Sequence, residues 1–443
     1  MKGKITALSL LIAMAGAPAV AFEPLYERAP IHYNETEADT MVTRRFAEMK
    51  EGGKFATGSD RDILEALLEE FDVPVESQVL VYSKTSAQNS RISPRTPRAI
   101  YFSDNLYMGW VQGGEIEVAS FDEKLGMVFH LVKLTTREPN RPPKLVRERS
   151  CLNCHAGSSN RNFPGVMVRS VFPQESGQPL FQAGTFHTRH DSPIEERWGG
   201  WYVTGQVEEA EHMGNCLAEG TRLGSDVTLE KMTEGELTSL DELFDAEPYL
   251  HGGRSDVVAL MMLEHQVGMH NMLIEANLTT RSTLHRHREM QKAFGESPDA
   301  PLSETNQRIL DNIATRVLEQ MLYVEEVSLP GGVEGDSSFQ VAFAENEVKS
   351  EDGRSLKDFR LYERLMKYRC SHLIYSDAFA HLPEEIRTLI LEKLHGILTE
   401  PAAWPDFDHL RDSEREHIRV IVKETLAGLP ACWNKGEEIL SAE

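Results

Sequence analysis

The chain has 443 residues, 70 acidic against 46 basic side chains and a formal charge of −24. A surface that acidic repels nucleic acid and anionic lipid, so neither is expected as a partner. No stretch reaches the ~18 consecutive apolar residues of a membrane span, which argues against stable membrane insertion.

Lys2 and Lys4 precede a short apolar run, "ITALSLLIAMAG", and then small residues at Ala19 and Ala21. This is the pattern of a secretory signal peptide over residues 1–21, cut before Phe22, and it implies export to the periplasm. Roughly 420 residues then remain, enough for more than one core. From Glu37 to Asp72 the periodicity is helical, and Ser59 with Asp62 three residues on marks a helix start. "SQVLVYSK", "RAIYFSD", "LYMGWVQGG", "IEVASFD" and "GMVFHLVKL" are β-branched and aromatic runs punctuated by Gly, Asp and Asn, so they predict strands. "REPNRPPK" predicts an extended loop leading to "CLNCH". "VMVRSVF" and "PLFQAGTF" around "PQESGQ" predict a hairpin. Beyond about residue 225 the pattern turns helical, with helices expected over 256–290, 302–325, 356–368, 383–398 and 411–428 and a loop over 329–338. The fold class is therefore α+β. A mixed α/β part carrying the cysteine motif spans 22–215, a connection 216–250, and an all-helical part 251–443.

Cys151, Cys154 and His155 form Cys-x-x-Cys-His. Two intervening residues put both sulfurs on one side of a single turn, where they reach the two vinyl groups of a porphyrin. A histidine directly after brings its imidazole to the iron. One motif predicts one covalent haem c. A zinc ribbon needs a second close Cys or His pair, and Cys216, Cys370 and Cys432 are solitary. A thioredoxin-like dithiol belongs at a helix start after a strand, whereas this pair follows a Pro- and Arg-rich loop.

The second axial position decides what a haem does, because two protein ligands favour electron transfer and an open site favours small-molecule chemistry. Met213 in "EHMGNC" is the distal candidate, and His190, His212, His265 and His270 are alternatives. At ~100° per residue Met261, His265 and Met269 share a helix face, and His270 is rotated away from it by about 140°. A methionine stripe is more often packing than ligation, and a lone histidine is more often a hydrogen-bonded side chain. Glu264 and His265, as an acid–base pair, would serve peroxide chemistry, but adjacent helical residues diverge.

Residues 84–98 hold Lys84, Arg91, Arg95 and Arg98 with no acid, and a second basic run (Lys133, Arg137, Arg141, Lys144, Arg147, Arg149) precedes the motif. Such segments suit haem carboxylates, an anionic partner, or the protein's own acids. Arg197, in "EERWGGWYVTG", is a further cofactor-binding candidate, while Trp198 and Trp201 are expected to fill core. Export permits disulfides, and Cys370–Cys432 is the preferred bridge.

The chain resembles a family of exported single-haem, cytochrome c domain-containing proteins of Gram-negative bacteria. The resemblance is carried by "SRISPRTPRAIYFSDNLYMGWVQGG", "SCLNCH", "SPIEERWGGWYVTG", "HMGN", "LMMLEHQVGMHNML" and "CSHLIYSDAFAHLP", and spans most of the chain after the leader. It implies haem on Cys151 and Cys154, His155 on iron, and electron transfer with a periplasmic donor or acceptor protein; it assigns no substrate. A fainter likeness is to PAS-like sensor domains that carry haem c after a "CLxCH" turn between strands. Electron transfer is thus the expected function. A peroxidase-like oxidoreductase with a helical distal pocket, or a gas or redox sensor, is the alternative.

Overall fold

The computed structural model describes residues 23–53, 55, 58–134, 142–220, 227–233, 235 and 237–434. The leader expected over 1–21 and its cut before Phe22 lie outside these residues, as do Arg137 and Arg141. The described chain opens with α1 (Met41–Gly52) and α2 (Asp60–Glu70). Each begins at a capping box, Thr40 with Thr43 and Ser59 with Asp62, which occupies amide donors that a helix start leaves open. Ile63, Leu64, Leu67 and Leu68 then give α2 one buried face.

Six strands follow, hydrogen-bonded in chain order as an antiparallel meander: β1 (Val79–Val81), β2 (Arg98–Ser103), β3 (Leu106–Trp110), β4 (Ile116–Asp122), β5 (Gly126–Lys133) and β6 (Lys144–Arg147). Alternate side chains feed two cores. Ala99, Tyr101, Met108, Trp110, Val118 and Val132 pack with Phe46, Leu64 and Leu67 of α1 and α2. Phe102, Tyr107, Ala119 and Phe129 face the other way, into a core that runs on through the helical half to Trp433.

The cysteine motif forms α3 (Leu152–His155). β7 (Arg169–Val171) and β8 (Thr185–His187) make the expected hairpin. β9 (Gln206–Val207) and the pair β10 (Cys216–Glu219) and β11 (Thr228–Lys231) lead to α4 (Val257–Phe294). α4 has 38 residues, about 57 Å at 1.5 Å per residue. Its first turns are apolar nearly all round, so the helix has to run through the core rather than over it, and Val257 to His270 are all buried. Asp256 caps it by accepting from the Ala259 amide at 2.9 Å. The remainder is α5 (Glu304–Met321), β12 (Val333–Glu334, paired with β9), α6 (Ser337–Ala344), β13 (Phe359–Tyr362), β14 (Arg364–Met366), α7 (Asp377–Ala380), α8 (Glu384–Thr399) and α9 (Asp412–Thr425). The class is α+β, and among the described residues no helix is long and apolar enough to cross a membrane.

Five local expectations are corrected. The helix expected over 356–368 is the hairpin β13–β14, because its apolar residues fit both periods and Leu361 and Glu363 adopt positive φ, which a helix interior excludes. The segment after residue 227 forms β11 and turns instead of helix; Gly235 sits at φ 81, and Leu240 and Phe244 serve as separate core anchors. The loop expected over 329–338 contains β12 and the start of α6, and Lys144 to Arg147 close the sheet as β6. Among the described residues no disulfide is formed, so Cys370 and Cys432 are not bridged. Burial pushes the Cys370 thiol up to about 12.

Candidate functional site

The motif turn is anchored from both ends. Before it, the Glu148 carboxylate accepts from the Ser150 amide at 3.0 Å and from the Ser150 hydroxyl at 2.7 Å. Leu152 is the buried residue of α3, which leaves Cys154 exposed and Cys151 half-buried. After it, the chain reverses so that Gly165 clasps His155 twice. The Gly165 amide donates to the His155 carbonyl at 3.0 Å, and His155 Nδ1 lies 2.9 Å from the Gly165 carbonyl. Asn160 Nδ2 adds a third bond to the His155 carbonyl at 2.8 Å.

A carbonyl only accepts, so Nδ1 carries the proton and Nε2 presents its lone pair. This is the arrangement that orients a metal-ligating imidazole. Burial lowers the His155 pKa to about 4, so the ring is neutral at pH 7 and available as a ligand. Its face rests on Phe129 of β5, with ring centroids 4.6 Å apart. The Cys151 thiol is pushed up to about 11, first by burial and then by Glu117 and Glu148, so it stays protonated. That is the opposite of the lowered thiol pKa on which dithiol redox catalysis depends.

Helix α4 holds the loop behind the clasp. Asn271 Oδ1 accepts from the Val166 amide at 3.0 Å, and its Nδ2 donates to the Val166 carbonyl at 2.8 Å. Gly165 leaves room for that amide, because a Cβ there would collide with Asn271 Oδ1. Asn271→Ala removes both bonds from a half-buried pair of backbone groups, and a loss of about 1–3 kcal/mol is expected. The urea midpoint of unfolding measures it, and an unchanged midpoint would contradict the anchoring role.

The distal candidates fall into two groups, and none has a hydrogen bond or ring contact with His155. Met213 is buried with Sδ 3.6 Å from the Ser170 hydroxyl and Cε against Gly199. Ser170 and Arg169 are neighbours on β7 and so point to opposite sides of the strand. Met213 therefore packs on the Ser170 side of β7, while the Arg169 charge contributes to lowering the His155 pKa. His212 lies on Met213's side, where its Nδ1 accepts from the Gly214 amide at 3.0 Å and its ring meets Trp198 edge-on at 5.0 Å.

His190, His265 and His270 belong to a buried polar cluster between α4, α5 and the strands. His190 Nδ1 lies 3.2 Å from His265 Nδ1 and 2.9 Å from Gln320 Nε2, and its Nε2 faces the Val324 carbonyl at 3.2 Å. His265 Nε2 pairs with the Ser371 hydroxyl at 2.8 Å, and its ring stacks on Tyr323 at 3.9 Å. His270 Nδ1 meets the Tyr107 hydroxyl at 2.7 Å. His372, which the sequence does not single out, joins the cluster beside Asp104 at 3.3 Å. Glu264 points away from His265 and pairs with Arg197 at 2.8 Å, both essentially fully buried. Arg197 also donates from Nε and Nη2 to the Ser192 and His190 carbonyls, which ties this loop to α4.

The cations nearest the motif are others. Arg98, from the basic segment of 84–98, reaches Glu117 across Gly109. Arg147 donates to the Tyr33 and Thr36 carbonyls. The Nε atoms of Arg98 and Arg169 are buried without a partner. An unpartnered Nε on each of Arg98 and Arg169, near an oriented imidazole and two unbridged thiols, fits a covalently held cofactor bearing carboxylates. Arg169, Gly165 and Asn271 carry no pattern in the sequence that marks them, since what selects them is their contact with His155 or its loop. Comparison with protein-family models, curated proteins and solved structures finds no match for this chain.

Proposed function

We propose that the protein is an exported c-type cytochrome that carries one haem on Cys151 and Cys154 with His155 as iron ligand. Its work is electron transfer with a donor or acceptor protein in the periplasm. The observation that carries this reading is the His155–Gly165 clasp, which fixes the imidazole tautomer with the proton on Nδ1, directly after two unbridged thiols. A bound haem supplies a one-electron couple there. The chain's own contribution is to present the two thiols on one turn, hold the imidazole neutral and oriented, and back it with Phe129.

Electron transfer is favoured over peroxide chemistry because the acid and bases that the sequence offers for a distal pair are bonded to other core groups. Glu264 is spent on Arg197, and both ring nitrogens of His190 and of His265 are committed inside the core. The second reading, a haem-dependent oxidoreductase, draws on a cleft of about 410 Å³ beside Asn160 and Arg161 with His190 and Gln320 in its wall. A sensor reading draws on the place of the motif between β6 and β7. Ferric and ferrous absorption spectra before and after CO separate these readings. Unchanged ferrous bands with CO support electron transfer, and ready CO binding to a high-spin iron supports the other two.

A further inference from the structure

The sheet face under the motif is built around one guanidinium. In register, Phe129 lies opposite Ala119 and Leu131 opposite Glu117, so Glu117 sits one side-chain step from the ring that supports His155. Gly109 pairs with Glu117 on the next strand. Arg98 crosses that glycine to reach the carboxylate, and a Cβ at Gly109 would lie 2.6 Å from Arg98 Nη2. Glu117 takes further bonds from Ser86 at 2.7 Å and Gln88 at 3.0 Å, so its charge is already well compensated.

Arg169 approaches the motif from β7, four residues beyond the Gly165 that clasps His155. Among the described residues no carboxylate pairs with it. Its Nη2 rests 3.7 Å from Met167 Sδ, a weak acceptor, and its Nε is buried with no acceptor at all. The strand is held in place by Trp201, whose Nε1 donates to the Arg169 carbonyl at 2.8 Å. A half-buried guanidinium whose Nε has no acceptor is better satisfied when an anion completes it. Haem carries two carboxylates, and arginine's planar fork matches a carboxylate with two parallel bonds.

We propose that Arg169, assisted by Arg98, binds the propionate carboxylates of the haem attached at Cys151 and Cys154, and thereby raises its reduction potential. The inference rests on the functional reading above. Neutralising a carboxylate beside the iron disfavours the extra positive charge of the ferric state, so the cation favours reduction. Arg169 is the cleaner probe, because removing Arg98 would also leave Glu117 buried and unpaired.

The test is a redox titration at pH 7 of periplasmically matured wild-type, Arg169→Gln and Arg169→Lys holoproteins, followed by visible absorption. Arg169→Gln is expected to shift the midpoint potential downward, with Arg169→Lys falling between it and the wild type. A wild-type potential in whichever variant matures with haem overturns the inference and leaves the cytochrome reading standing. A wild-type chain that acquires no haem overturns the cytochrome reading itself.

Discussion

Glu264→Ala is expected to destabilise the protein by about 3–5 kcal/mol, because it strands a buried guanidinium. Arg197 is 1% exposed and Glu264 0%, so water cannot replace the lost carboxylate. The cost is the desolvation of an unpaired charge and exceeds what the ion pair adds on balance. The same arginine ties the loop through His190 and Ser192 to α4, so the damage spreads to the His190 contacts with His265 and Gln320. Replacing Arg197 and Glu264 together by apolar residues of similar volume should recover much of the loss, since neither charge is then left alone. Urea denaturation of the single and double variants measures this. A loss below about 1 kcal/mol for Glu264→Ala, typical of exposed pairs, would contradict the buried-pair account.

Acidification is the second large effect. Burial lowers His190, His270 and His130 from 6.5 to about 4, and holds His265 well below 6.5. Between these pH values the unfolded chain binds protons that the folded chain refuses, so stability present above about 6.5 falls as pH drops toward 4 and then levels off. A drop of that size corresponds to roughly 3 kcal/mol for each fully buried histidine. Three buried carboxyls work in the opposite direction: Glu326, raised by burial to about 7, Asp256, raised to about 6, and Glu264, also raised by burial, are relieved when they protonate. The histidines outnumber them, and the sum is comparable with a whole domain's stability of about 5–15 kcal/mol. Tryptophan fluorescence or near-ultraviolet circular dichroism is expected to show loss of tertiary structure between about pH 6 and 4. A native signal unchanged at pH 4 would contradict the cluster's neutral, buried state.

Much of the fold is legible where one period dominates. The capping box at Ser59, five of the meander's six strands and α4 follow from spacing alone, because each presents either an alternating or a helical apolar pattern. β13–β14 and α6 are not legible, because their apolar residues fit both periods and the choice is made by contacts made elsewhere, such as Leu329 with Glu363 across a bridge. At the site, Cys151, Cys154 and His155 are marked by spacing that the chemistry itself demands. The residues that orient them are not. Gly165 and Asn271 are ordinary in sequence and acquire a role only when the chain folds back on His155. The polar pattern of α4 raises the opposite difficulty. Glu264, His265 and His270 look like catalytic groups in sequence, yet in the fold they bond inside the core to Arg197, His190 and Tyr107 respectively.

The central claim is covalent haem at the motif, and intact-mass measurement of the mature chain purified from a periplasm with cytochrome c maturation tests it most directly. The account predicts a mass increased by one haem that survives denaturation and acid–organic extraction, and that is lost from the Cys151→Ser, Cys154→Ser double variant. A wild-type chain with the bare polypeptide mass, or haem that departs on denaturation, would contradict it.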